Sequence, residues 1–398
     1  MFFNSITSAF SNSHQSTKVI LVCHGHTTYN EQNRFQGCSN ESVLTEKGHQ
    51  AAYQTGLALQ QFTFDKIYTS PLTRVQQTTE AIINAFQQKS SNLPPVLIDE
   101  KLMEINLSIW QGLSKQDVKE NFAQDYNCWQ ETPHLFNCIR EHKDQISGSP
   151  YFSVLELFHQ ARQFWQELLA NNQGQTILIV AHAGINRALI STAIGLSLKH
   201  YHSLQQSNCG ISCLEFFSSN SNDGKLNWLN LTNHLGKNLP EIEENKYGWR
   251  WLLLSDKVTE TLCGSTWIKD FFGQSLIDFV LTDNSERAEF LAINLLKNSQ
   301  KTIHLPIAQD HFLEIWQQTI FARQKLNYCS LESSLVTGLI IVQDNLLSQI
   351  LYKTLGINLS LDTTNNLSVL HYPQADQHSI LQGLLPINSL AVNQLSAR

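Results

Sequence analysis

Three times in the first half of the chain a strand-length apolar run gives way to a polar loop and then to a helical segment, and this alternation restricts the fold more than any other feature. Lys18 to Cys23 (KVILVC) stops at His24-Gly25-His26, as a strand buried on both faces would. Asp65 to Phe86 pairs a short strand at 67–69 with a helix that Ser70 can cap and Pro71 can open, which puts Arg74 in its first turn. Gln175 to Gly195 repeats the pattern: apolar to Val180, His182 in the loop, then a helix closed by Gly195. Such units predict a doubly wound, three-layer α/β fold on a largely parallel sheet. Ligands collect beyond the carboxyl ends of parallel strands, so His24, Arg74 and His182 are expected to share one pocket. The segment 107–168, rich in Trp, Phe, His and Gln, is expected to form a mostly helical cap above it.

At 398 residues the chain exceeds what one core usually organises, which predicts two domains. Residues 1–17 read as a flexible lead-in, 18–240 as the first domain and 249–398 as the second, divided at the polar stretch Glu241 to Gly248. Overlaying the halves sets LLLSDK on ILVCHG, LTDNSERAEF on YTSPLTRVQQ and LIIVQDNLLSQILYKTLG on ILIVAHAGINRALISTAIG. Internal duplication explains these matches. Asp256 then falls opposite His24, Asp344 opposite His182 and Arg287 opposite Arg74, so the second copy is shortened and degenerate rather than a second active site.

A net charge of −7 without a long Lys/Arg block argues against nucleic acid or anionic lipid as a partner. No apolar stretch is long enough to span a bilayer. Eight cysteines without a CxxC pair read as reduced thiols of a cytoplasmic protein. His24 and His26 have no further ligand at metal-binding spacing, so neither a metal nor a cofactor is expected. Position 29, six residues after Cys23, is Tyr29, so the Cys-x5-Arg loop of a thiol phosphatase is missing as well. Nothing in the sequence bears on oligomeric state.

Five ordered blocks remain: LVCHGHTTYNEQNRFQG, LTEKGHQAA, SPLTRVQQTTEAI, LMEINLSIWQG and VAHAGINRAL. Together they resemble the histidine phosphatase (phosphoglycerate mutase-like) superfamily over nearly the whole first half, and the chain is similar to a tandem-domain branch of it. The resemblance implies a phosphatase of small phosphomonoesters, with a phosphorylated metabolite as partner. It makes His24 the nucleophile, Arg74 and His182 the phosphate clamp, Asn30 a phosphate contact and Glu104 the proton donor. Arg34, Gln36 and Gly37 in NRFQG, and Asn208 in QQSNCGIS, match stretches near the family's pocket; Arg34 and Gln36 either line it or pin its loop. The chemistry agrees: a neutral imidazole can attack phosphorus with one nitrogen while the other donates to a backbone carbonyl, and a protonated Glu104 can supply the leaving oxygen.

One position departs from the family. An arginine precedes the nucleophile there, and here it is Cys23. Losing one preorganised donor typically costs about 2.7–4 kcal/mol of transition-state stabilisation. A slow phosphatase is the first reading, a non-catalytic phosphate-ligand sensor or scaffold the second, and a mutase returning the phosphoryl group to the same sugar acid the third.

Overall fold

The computed structural model describes residues 16–89, 91–142, 145–242, 247–258, 271–272, 277–296, 302–326, 335–356, 366–373 and 378–387. Most of the expected lead-in, residues 1–15, and residues 243–246 of the expected boundary lie outside these. By its packing the chain divides into one unit running to Asn227 with His234–Gly236, and another of Trp228–Asn233 and the residues from Lys237 onward.

The strands of the first unit are β1 (Thr17–Cys23), β2 (Lys66–Thr69), β3 (Val96–Ile98), the hairpin β4 (Cys138–His142) and β5 (Gln145–Tyr151), β6 (Thr176–Ala181), β7 (Ile211–Phe216) and the start of β8 (Gly224–Leu231), whose residues from Trp228 fall in the other unit. Its helices are α1 (Thr28–Glu31), α2 (Glu46–Leu59), α3 (Thr73–Gln87), α4 (Lys115–Asn121), α5 (Ala123–Glu131), α6 (Ser153–Asn171) and α7 (Ala183–Ala193). The main sheet runs β3-β2-β6-β1-β7-β8, parallel from β3 to β1 and antiparallel at β7. β1 and β6 are almost wholly buried, which explains their unbroken apolar sequences.

Helices α2 and α3 pack as one pair, and α6 and α7 as another. The first crossing depends on Gly56, where a Cβ would sit 2.7 Å from the Ala85 Cβ. The second is fastened by the indole N–H of buried Trp165, which donates to Leu189 O at 2.9 Å. Helix α6 therefore belongs to the core, and the expected cap is corrected: the inserted part ends before Ser153 and includes the β4/β5 hairpin as well as α4 and α5. The apolar stripe Val154, Leu157, Phe158, Ala161, Trp165 and Leu168 carries the helical period that makes this so.

The cap reading of Ser70 is also corrected. Helix α3 starts at Thr73 after Leu72, with no side-chain cap, and Pro71 lies ahead of the helix. The Ser70 hydroxyl is instead bonded to His182.

The second unit contains β9 (Gly248–Ser255), β10 (Phe279–Thr282), β11 (Ile303–Pro306), β12 (Leu335–Val342), β13 (Asn366–Pro373) and β14 (Ile380–Pro386), with α8 (Glu286–Leu295), α9 (Gln309–Leu326) and α10 (Asp344–Leu355). Its strand order, β11-β10-β12-β9-β13-β14, reproduces that of the first unit strand for strand, including the parallel-to-antiparallel change beyond β9. No helix among the described residues is long and apolar enough to cross a membrane.

The loop after β1 and the start of α2 touch backbone to backbone. A Cβ on Gly48 would lie 2.1 Å from His26 O, and one on Gly25 would lie 2.6 Å from Gly48 O. Gly48→Ala is accordingly expected to cost about 1–3 kcal/mol, read as a lower denaturation midpoint; an unchanged midpoint would show that the two segments are not held this closely.

Candidate active site

Register explains how two histidines 158 positions apart in sequence become neighbours. In the parallel pair β1/β6, Cys23 lies opposite Ala181, so the next residue on each strand, His24 and His182, leaves the sheet side by side. The His24 backbone N–H continues the ladder to Ala181 O at 2.9 Å, and the two ring centroids are 5.4 Å apart at 67°. Both residues are buried.

His24 Nδ1 lies 2.8 Å from Gly25 O. Since a carbonyl only accepts, Nδ1 carries the hydrogen and Nε2 keeps its lone pair. Burial, and secondarily the Arg74 charge, lower the His24 pKa to about 3; the same two causes hold His182 well below its ordinary value. Both rings are thus neutral at physiological pH. His182 Nε2 meets Ser70 Oγ at 2.8 Å, while its Nδ1 is buried without a partner.

The loop bearing His24 is held on every side. Gly25 N–H donates to Thr78 Oγ1 at 3.0 Å, and Cys209 N–H donates to Cys23 O at 3.1 Å and to His24 O at 3.3 Å. Asn208 Nδ2 donates to His24 O at 3.0 Å and to Gly25 O at 3.3 Å. Asn208 therefore braces the backbone of this loop. Cys209 performs its part at a φ of 57°, unusual for a residue with a side chain.

Arg74 is fully buried on the first turn of α3. Its Nη1 donates to Ser39 O at 2.7 Å and its Nη2 to Gly37 O at 2.8 Å, while Nε is buried without a partner. Among the described residues no carboxylate forms an ion pair with it. Gly37, at a φ of 51°, turns its carbonyl to this cation, and a Cβ there would strike Gln111.

Glu104 sits at the amino end of α7. Oε1 accepts from Ile105 N at 2.8 Å and Ile185 N at 3.1 Å, and Oε2 accepts from Gly184 N at 2.9 Å. The carboxylate satisfies helix-terminal N–H groups that His182, the N-cap residue, leaves open. A Cβ on Gly184 would lie 2.2 Å from Glu104 Oε1, so this position admits only glycine.

The other sequence candidates occupy the first-strand loop. Asn30 Oδ1 accepts from Thr27 N and Thr27 Oγ1 in a capping box, and Gln36 Oε1 accepts from Thr27 Oγ1 at 3.2 Å. Arg34 is exposed and its Nη1 donates to Gly112 O at 2.6 Å, which ties the loop down. Cys23 is buried, and burial above all raises its thiol pKa, so it brings no charge to the pocket. Sequence reading passed over Ser70, Thr78, Gly184 and Cys209. Of these Ser70, Thr78 and Gly184 had a visible signal, since they lie inside the motif blocks.

The corresponding crevice of the second unit is acidic. Asp256 N–H donates to Val342 O at 2.9 Å, the counterpart of the His24 bond to Ala181, but the side chain is a carboxylate whose pKa burial and Asp283 raise. Asp344 is engaged by Ser255 Oγ and, at 2.7 Å, by Lys257 Nζ; Asp283 accepts from Ser285 and Gln343 N. No group of three or more His, Cys, Asp or Glu among the described residues is placed to hold a metal ion.

Residues 19–229 match the histidine phosphatase superfamily, branch 1. The chain belongs to that superfamily. It is 40% identical over 199 residues to a probable 2-carboxy-D-arabinitol-1-phosphatase of Arabidopsis thaliana, a match covering 50% of this chain and 38% of the plant protein. The chain thus spans well under half the length of that relative. Phosphoserine phosphatase 1 of Hydrogenobacter thermophilus is 28% identical over 220 residues, covering 55% of this chain and 95% of the relative. The structure of Entamoeba histolytica phosphoserine phosphatase with 3-phosphoglyceric acid shares 26% identity, covering 55% of this chain and 99% of that one, with a TM-score of 0.44.

The neutral His24 has a consequence for stability. Below pH 6.5 the unfolded chain protonates this imidazole and the folded chain does not until about pH 3, so folding stability falls with pH across that window. By pH 4 the His24 share amounts to at most about 3 kcal/mol. Denaturation midpoints measured from pH 7 to pH 4 should therefore fall less steeply for His24→Asn than for the native chain, and equal slopes would contradict a neutral buried ring.

Proposed function

We propose that the first unit hydrolyses a small phosphomonoester through a phosphohistidine on His24. The observation that carries this reading is a fully buried guanidinium, Arg74, without a carboxylate partner among the described residues, beside two neutral histidines. A buried cation is costly unless an anion completes it. In the first step the His24 Nε2 lone pair forms the N–P bond, the ester P–O bond breaks, and the leaving oxygen takes a proton from Glu104. Water then attacks phosphorus, returns a proton to Glu104 and breaks the N–P bond, giving inorganic phosphate and neutral His24. Arg74 and His182 Nδ1 are the clamp on the equatorial oxygens, and Asn30 Nδ2 is a further contact. Arg34, Gln36, Gly37 and Asn208 hold the loops that carry these groups.

Several relatives are named for phosphorylated small acids: carboxyarabinitol 1-phosphate, phosphoserine and phosphoglycerate. A phosphorylated hydroxy acid is the substrate class this suggests. The second unit is, in this reading, a duplicated copy whose aspartates have replaced the histidines. Cys23 supports a second reading, a phosphate-ligand binder without turnover.

Acid-labile phosphate on His24, sought by mass spectrometry after mixing with a panel of phosphorylated acids, tests the reaction directly. It is expected in the native chain and absent in His24→Ala; its absence in both, with phosphate binding retained, favours the non-catalytic reading. Cys23→Arg should raise turnover at least about tenfold. Calorimetric titration with inorganic phosphate should give one site per chain, and two would contradict a degenerate second unit.

A further inference from the structure

We propose that Arg187 supplies the positive charge that Cys23 withholds from the phosphate pocket. This rests on the reading of that pocket as a phosphate site. Arg187 lies on α7 five residues after His182 and three after Gly184, so Gly184 and Arg187 share a helix face. That face is turned toward the site: a Cβ on Gly184 would lie 2.2 Å from Glu104 Oε1 and 2.6 Å from the Tyr201 hydroxyl.

The Arg187 guanidinium is held by the segment that runs from Tyr201 to Leu204. Its Nε donates to Leu204 O at 2.8 Å, and its Cζ lies 5.8 Å from the centroid of the buried Tyr201 ring, whose phenol it also hydrogen-bonds. No ion pair to Arg187 occurs among the described residues, so its charge is not already spent on a carboxylate. The two cations whose fields act on the Cys23 thiol are Arg187 and Arg74. Arg34, the other arginine of the motif blocks, is exposed and tied to Gly112 O. An arginine at position 23 would give the phosphate a bidentate partner; Arg187, with its fork partly committed to Leu204 and Tyr201, gives chiefly charge. Arg187 is thus a substrate-binding residue by its field, on the helix face that Glu104 and Tyr201 border.

The alternative is that Arg187 only anchors the 201–208 segment, and a mutant cycle separates the two. Binding of inorganic orthovanadate and phosphate would be measured by calorimetry for the native chain, Arg187→Gln, Arg187→Lys, Cys23→Arg and Cys23→Arg/Arg187→Gln. Charge compensation predicts that Arg187→Gln weakens binding at least about tenfold, that Arg187→Lys retains most of the affinity, and that Cys23→Arg restores it to the Arg187→Gln chain. Equal losses in the Gln and Lys variants, or a loss that Cys23→Arg does not repair, would overturn the proposal, as would unchanged affinity in Arg187→Gln. Should Arg187→Gln fail to fold, the Lys variant against the native chain decides, with retention expected. A native chain that binds the anions but turns nothing over defeats the phosphatase reading and leaves this one standing, whereas a native chain that binds neither defeats both.

Discussion

A buried guanidinium, Arg74, without a carboxylate partner among the described residues is the constraint around which the first unit is arranged. Taking a charge out of water costs several kcal/mol unless its donors are satisfied. Arg74 has two of its N–H groups on Ser39 O and Gly37 O, and Nε remains open. Presenting those carbonyls requires the turn at Gly37, whose positive φ and contact with Gln111 exclude a side chain. Glu104, the carboxylate that among the described residues acts on Arg74 electrically, is drawn instead onto the N–H groups that open α7. Burial first, and the same cation second, hold both histidines in their neutral form, so the His24 Nε2 lone pair stays free.

Backbone register does the rest of the positioning, and it does so without reference to side chains. Cys23 opposite Ala181 sets His24 beside His182; Ser255 opposite Val342 sets Asp256 beside the loop that leads to Asp344. The bond from the first residue beyond the strand to its parallel neighbour is the same 2.9 Å in both units. One frame therefore supports opposite electrostatics, cationic in the first unit and acidic in the second. Function in this architecture is a property of the few residues just past the strand ends.

Much of this was legible in the sequence. Fully buried strands advertise themselves as unbroken apolar runs, and the residues that end them must lie at one edge of the sheet, which is why the sequence alone groups His24, Arg74 and His182. Contacts that depend on how loops fold back were not legible. Asn208 reads as a ligand in a motif but spends its amide on His24 O and Gly25 O. Ser70 stands where a helix cap belongs, yet the helix starts three residues later and the hydroxyl goes to His182. The long segment before β6 conceals a core helix because its aromatic and histidine content outweighs the helical stripe of α6.

Charge around the two histidines is sparse. Arg74 contributes one positive charge, both imidazoles and the Cys23 thiol contribute none, and Glu104 faces three N–H donors as an acceptor. His24 Nδ1 holds its hydrogen on Gly25 O, which leaves the Nε2 lone pair bare. An arginine at position 23 would add a second fixed cation beside these groups. With cysteine there, attraction of an anion falls, in the reading proposed above, to Arg74 and Arg187, two side chains carried by different helices.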